Sequence, residues 1–152
     1  MQVVLQRVSG ARVRVDGQVV GEIGAGLVAL VGVAHGSEEA DAQWLARKTE
    51  TLRVFDADGV GEHGRMDASL AEIGGEVLAI SQFTLYADVR KGRRPSFAGA
   101  AEPARAEALY EAYCAALTVP SATGVFGARM AIDLTADGPV TILLRSESGV
   151  RS

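Results

Sequence analysis

The stretch Arg12–Val20, RVRVDGQVV, decides the fold class. Two valine-rich runs flank Asp16-Gly17, a dipeptide that tolerates positive φ and closes a two-residue hairpin. Val13 and Val15 fall on one side and Arg12 and Arg14 on the other, as in an antiparallel pair with one face buried. Working outward, residues 2–8 alternate loosely and read as a strand. Residues 27–34, LVALVGVA, are apolar throughout, the pattern of a strand covered on both faces. Ser37 is placed to cap a helix running to about Arg53, with Ala42, Leu45, Ala46, Thr49 and Leu52 as its apolar stripe. Residues 56–65, DADGVGEHGR, read as a flexible loop. Residues 76–85 form another apolar strand. Pro103 suits a first helical turn, and Ala106, Leu109, Tyr110, Tyr113 and Leu117 mark a second amphipathic helix. Residues 118–128 read as irregular. MAIDL (130–134) and VTILL (140–144) read as strands flanking Thr135–Pro139, and the tail after Ser146 reads as loose. This order predicts one α+β domain over residues 1–146, with a mostly antiparallel or mixed sheet, two main helices and a short tail over 147–152.

Composition narrows the function. The chain has 152 residues, 48% of them hydrophobic, enough for a single sizeable core. No apolar run reaches the ~20 residues of a membrane helix, and MQVVLQRV lacks the charged start and apolar block of a signal peptide. A net charge of −4 argues against coating nucleic acid by bulk charge, while leaving room for a local basic patch. One cysteine, Cys114, and two histidines, His35 and His63, give neither a disulfide framework nor a zinc spacing, so no metal and no cofactor are expected. A lone thiol fits a reducing cytoplasm.

Four features carry candidate chemistry. The apolar run EVLAI ends in Ser81-Gln82-Phe83-Thr84-Leu85, three polar side chains where a core strand finishes. Hydroxyls and an amide can donate and accept, yet a Ser81 or Thr84 nucleophile needs a base in reach, and the nearest acid in sequence is Asp88. The same residues could simply cap the sheet. His35 follows a buried strand and His63 lies in a glycine-rich loop; each reads as a base candidate or as an ordinary polar residue. Arg90, Lys91, Arg93 and Arg94 can neutralise phosphates or form a solvated surface run. Asp137-Gly138-Pro139-Val140-Thr141 reads as a rigid turn whose exposed groups are backbone carbonyls, a stiff wall for a ligand or a plain connection.

Taken together, SQFTLYAD, RKGRRPSF, TGVFGARM and DGPVT, in that order after QRVSGARVRVDGQVVGEIGAGL, resemble the D-aminoacyl-tRNA deacylase family over roughly residues 1–146. The resemblance implies a barrel-like sheet and a cytoplasmic homodimer with its active sites at the subunit interface. It implies an editing hydrolase that cleaves the ester of D-aminoacyl-tRNA and also clears glycine from alanine tRNA. Ser81, Gln82, Phe83 and Thr84 then become the catalytic segment. Gly138-Pro139, as a cis pair, would reach into the other subunit's pocket and exclude an L side chain, with Val140 and Thr141 beside it. Phe126 and Met130 would lie near the terminal adenine. Catalysis would use the 2′-hydroxyl of the terminal ribose, which answers the missing base; a Thr84 nucleophile is the alternative mechanism, and a non-catalytic RNA-binding module on the same fold is the alternative function. Lys91, Arg93 and Arg94 would meet tRNA phosphates, with tRNA the partner and no membrane involved. Ala136 departs from the asparagine that many members carry there.

Overall fold

The computed structural model describes residues 1–57, 65–147 and 150–152. Its hub is β1, Gln2–Val15, which pairs antiparallel with β2 (Gln18–Ile23), β3 (Gly26–Gly32) and β8 (Ala131–Glu147). Asp16 and Gly17 adopt φ of 51° and 80°, the two left-handed residues of the predicted hairpin turn, and Val15 pairs with Gln18 across it. Residues 2–8 and 12–15 are thus one strand.

β3 pairs antiparallel with β1 and parallel with β6 (Glu76–Ser81), which pairs parallel with β7 (Ser121–Thr123). The sheet is mixed, as parallel neighbours require helical crossovers. These are α1 (Glu39–Thr51), followed by the small hairpin β4–β5 (Arg53–Phe55 and Ala68–Ser69), and α2 (Pro103–Ala116). Both helices lie on one face of the sheet. β3 explains its unbroken apolar run: Leu27, Ala29 and Val31 enter the core under the helices, while Val28 enters a second cluster with Val8, Ala11, Val13, Ile23, Leu78 and Ile80.

Several expectations need correction. The sheet is not a closed barrel: β2 and β7 are not hydrogen-bonded to each other, although a Cβ on Gly21 would lie only 2.6 Å from the Thr123 carbonyl. Glu38, not Ser37, opens α1; its N–H donates to the Asp41 carboxylate at 2.9 Å, while Ser37 turns inward and accepts from the Ala34 N–H. Residues 130–144 are not two strands around a turn: Thr135–Pro139 lie inside the single strand β8. Nor is the end loose, because Val150–Arg151 return as β9 along Ser146–Glu147, and Arg151 stacks over Trp44 at 5.3 Å. The 56–65 loop lies partly outside the described residues. Among the described residues no helix is long and apolar enough to cross a membrane.

Gly26 marks the tightest approach in the sheet. A Cβ there would sit 2.0 Å from the Glu76 carbonyl oxygen, which is backbone and cannot swing away. Gly26→Ala should therefore cost about 3 kcal/mol, a fall of about 6–12 °C in thermal midpoint. Gly36→Ala, which meets open space, should change stability by under about 0.5 kcal/mol. Calorimetry of both variants checks the contrast.

Candidate active site

Ser81 ends β6 opposite Val31 of β3. The next N–H, that of Gln82, donates to the Val31 carbonyl at 2.7 Å, so the chain leaves the strand still tied to β3. Phe83–Tyr86 then wind into a 3-10 turn rather than extending the strand to residue 85. Gly32 makes room for that turn: a Cβ there would lie 3.1 Å from Leu85 Cβ and 3.2 Å from the Gln82 carbonyl. From β1, the buried Gln2 amide donates to the Leu85 carbonyl at 2.7 Å.

The motif opens onto a cleft of about 510 Å³. Ser81, Gln82 and Phe83 form one wall, Phe97, Ala100 and Ala101 a second, and Pro103 with Phe126–Ala128 the rest. Phe83 and Phe97 meet edge to face, 5.0 Å between centroids, a geometry the ring quadrupoles favour. Phe126 leans on Tyr110 at 6.2 Å, and the Tyr110 hydroxyl donates to the Ala79 carbonyl of β6 at 2.8 Å. His35 is a strut outside the cleft: its Nε2 bonds the Ala98 carbonyl at 3.0 Å and its N–H the Gly99 carbonyl at 3.4 Å. His63 lies outside the described residues.

Among the described residues no acid or imidazole is hydrogen-bonded to the Ser81 or Thr84 hydroxyl. Thr84 is exposed, does not line the cleft, and accepts a hydrogen bond from Gln82 Nε2. Among the described residues Glu102 is the one ionisable side chain on the cleft wall. Cys114 lines a smaller hollow behind Phe126, and burial pushes its thiol up to about 11, so it stays protonated at neutral pH. Among the described residues no cluster of three or more metal-ligating side chains occurs.

The Gly138-Pro139 segment lies elsewhere. Gln6 pairs with Thr141 and Val8 with Ala136, so four residues of β8 stand opposite Arg7 alone and bulge outward. Their shared partner is the well-buried Arg7, which pairs with the Asp137 carboxylate at 3.0 Å and donates to the Val54 carbonyl at 2.6 Å. The Gly138-Pro139 peptide is cis and exposed, and neither residue lines the cleft of its own chain. Val140 returns to the core, Thr141 stays exposed on the resumed ladder, and Met130 packs its sulfur over Gly124 beside the second cluster.

The basic loop is closed by paired backbone bonds between Asp88 and Ser96 at 2.7 and 2.9 Å. Arg90 folds back as a two-pronged clasp on Asp88, at 2.9 and 2.7 Å. These bonds, with the Arg90 N–H, hold the Asp88 carboxyl below the ordinary range. Lys91, Arg93 and Arg94 are exposed, with no ion-pair partner among the described residues.

One chain therefore joins Ser81, Gln82, Phe83 and Phe126, and leaves Thr84, Met130, Gly138, Pro139, Val140 and Thr141 outside the cleft. Sequence reasoning missed Phe97, Ala100, Ala101 and Glu102. Their one signal is a run of small residues between an aromatic and a helix-starting proline.

Residues 4–145 match the family model described as D-Tyr-tRNA(Tyr) deacylase. The chain is 54% identical to a D-aminoacyl-tRNA deacylase of Thermomicrobium roseum, over 96% of this chain and 94% of that one. It is 52% identical to a D-aminoacyl-tRNA deacylase of Thermus aquaticus, over 96% and 95%. A solved structure of a c-Myc DNA unwinding element binding protein superposes with a TM-score of 0.88 at 35% identity, over 97% of this chain and all of that one. Another, of a probable eukaryotic D-amino acid tRNA deacylase, has a TM-score of 0.80 at 17% identity, over 93% and 97%, a likeness of fold. With the match spanning nearly the whole sheet and both helices, the chain belongs to the D-Tyr-tRNA(Tyr) deacylase family of hydrolases.

Proposed function

We propose that this protein hydrolyses the ester joining a D-amino acid to the terminal adenosine of tRNA and spares the L isomer. The observation that carries the reading is the cleft in which Ser81, Gln82 and Phe83 face Phe126, in a chain of this family. Phe126 offers an aromatic face on which an adenine can stack. Water adds to the ester carbon, the ribose oxygen leaves carrying a proton, and the products are a free D-amino acid and tRNA. The site of action proposed is the cytoplasm, where tRNA is charged.

The chemistry proposed is positioning with backbone donors. The N–H groups of Phe83 and Thr84 open the 3-10 turn, ahead of the turn's own bonds, and can face a developing oxyanion. Positioning contributes up to ~7–11 kcal/mol, and one oxyanion donor ~2.7–4 kcal/mol. The 2′-hydroxyl of the terminal ribose assists the attacking water, a reading supported by Thr84 lying off the cleft wall and by the burial that keeps the Cys114 thiol protonated.

Selectivity is assigned to a second copy. The Gly138-Pro139 bulge is exposed and lies off its own cleft; in the proposed homodimer each bulge enters the partner's cleft. Exposed Val19, Val20 and Leu134 supply apolar surface for such a contact. Carbonyls on the bulge wall off an L side chain, and glycine, having none, is accepted, so glycyl-tRNA(Ala) is a further substrate.

Three outcomes test this. D-tyrosyl-tRNA should be hydrolysed at least ~100-fold faster than L-tyrosyl-tRNA, as excluding a side chain by ~3 kcal/mol implies; equal survival of both overturns the reading. Thr84→Ala and Glu102→Gln should each keep kcat within ~10-fold of the parent, the least that loss of a general base costs being ~100-fold; collapse of one variant, with folding intact, makes that side chain the catalyst. A 2′-deoxy terminal adenosine should block turnover while binding persists, which single-turnover kinetics will show.

A further inference from the structure

Behind the 3-10 turn lies a second, more open groove of about 720 Å³ that the proposed chemistry does not use. Its floor holds Gln2, Leu85, Tyr86, Ala98 and Gly99. One rim is the neck of the basic loop, Asp88–Arg90 with Ser96; the other is Arg145 and Glu147 near the end of β8. It backs directly onto the cleft, because the segments 82–86 and 96–101 supply residues to both.

The charges that line this groove balance, and a positive surplus enters only from the loop beyond one rim. Asp88 is clasped by Arg90, and Glu147 accepts from the Tyr86 hydroxyl at 3.2 Å. Burial first, and then the nearby Glu147, raise the Tyr86 phenol well above its ordinary value, so it remains a neutral donor. Lys91, Arg93 and Arg94 stand exposed on the loop above one rim, and the Arg145 side chain is exposed on the other. Arg90 and Arg145 balance Asp88 and Glu147 in the groove lining, and Lys91, Arg93 and Arg94, which follow Arg90 on the loop, add three positive charges beyond that rim in a chain whose net charge is −4. Such a local reversal of sign attracts a polyanion that the molecule as a whole repels.

We propose that the single-stranded 3′ end of tRNA, after crossing the Phe97–Gly99 segment out of the cleft, lies in this groove, with Arg145 holding its backbone from one rim and Lys91, Arg93 and Arg94 from the other. The inference rests on the tRNA substrate proposed above. The groove suits a phosphate backbone, with Arg145 exposed on one rim and the exposed Lys91, Arg93 and Arg94 on the loop that continues from the other. Its floor offers a backbone turn and amide and phenol groups, where a sequence-independent strand needs contact without readout. Arg145 enters as a tRNA-binding residue that no motif marks.

The test uses the full chain and an uncharged acceptor minihelix ending in CCA, so it reads binding whether or not the ester is cleaved. Arg145→Glu should weaken minihelix binding about 10-fold at low salt, and Arg145→Gln about 3-fold. Arg145→Gln should flatten the dependence of log K on log salt by about 0.7, one single-strand phosphate contact. Replacing Lys91, Arg93 and Arg94 together by Gln should flatten it by about 2 on the same scale. Hydrolysis of D-tyrosyl-adenosine, which lacks the strand, should be unchanged in every variant. Unchanged minihelix binding and salt slope in Arg145→Gln overturn the groove assignment. So does an equal loss on D-tyrosyl-adenosine, which would make Arg145 a support of the cleft. If the parent cleaves no D-aminoacyl-tRNA yet the binding pattern holds, the proposed activity fails and the groove stands.

Discussion

The mismatch between β1 and β8 is the constraint on which the rest depends. β1 is hydrogen-bonded on both edges, to β8 along one side and to β2 and β3 along the other. A strand held that way cannot slip, because a one-residue shift would turn its core residues to the wrong face. The surplus of residues in β8 therefore has to leave the ladder, and it leaves opposite Arg7. Arg7 holds the base of the resulting bulge through Asp137 and the Val54 carbonyl, under a Phe55 ring 6.0 Å away. A second irregularity lies two residues on, where Val8 pairs with Ala136 and Gly10 with Thr135. That extra residue, Ser9, resets the parity of β1, so odd-numbered Val3 and Leu5 face the helices while odd-numbered Ala11 and Val13 join Val8 in the second cluster.

The cleft rests on the same economy at the other side of β3. Parallel pairing of β3 with β6 delivers Ser81 beside Val31, and glycines at both ends of β3 allow close approach. Gly26 admits the Glu76 backbone, and Gly32 admits the 3-10 turn. Both helices arrive as crossovers of parallel pairs, so the start of α2 falls beside the strand end that carries the motif. Ligand sites in sheets with parallel strands commonly form at such carboxyl ends. Here that placement brings aromatic rings, small side chains and backbone amides together, with very little ionisable chemistry.

A site so short of titratable groups depends on geometry held by ordinary bonds: Gln2 on Leu85, His35 on Ala98, Tyr110 on Ala79. Apart from Glu102, the charged residues of the region are placed outside it, on the loop beyond Asp88 and near the end of β8. That division suits a polyanionic substrate with a small reactive end, held along its length by cations and at its tip by shape.

The sequence by itself determined what local chemistry dictates. Asp16-Gly17 specified its hairpin, the unbroken run at 27–34 specified a strand buried on both faces, and Pro103 specified the start of α2. The motifs SQFTL, RKGRRPSF and DGPVT were enough to mark the family. The tertiary structure alone decided that Asp137–Val140 of DGPVT form a bulge inside one strand, because only the β1 register shows that four residues oppose Arg7. It also decided that β9 forms, that Glu38 rather than Ser37 opens α1, and that the sheet stays open. Phe97, Ala100, Ala101 and Glu102 joined the cleft only through folding. Their neighbours there come from strands and loops distant in the chain, and a contact set by long-range pairing leaves no period or spacing in the letters.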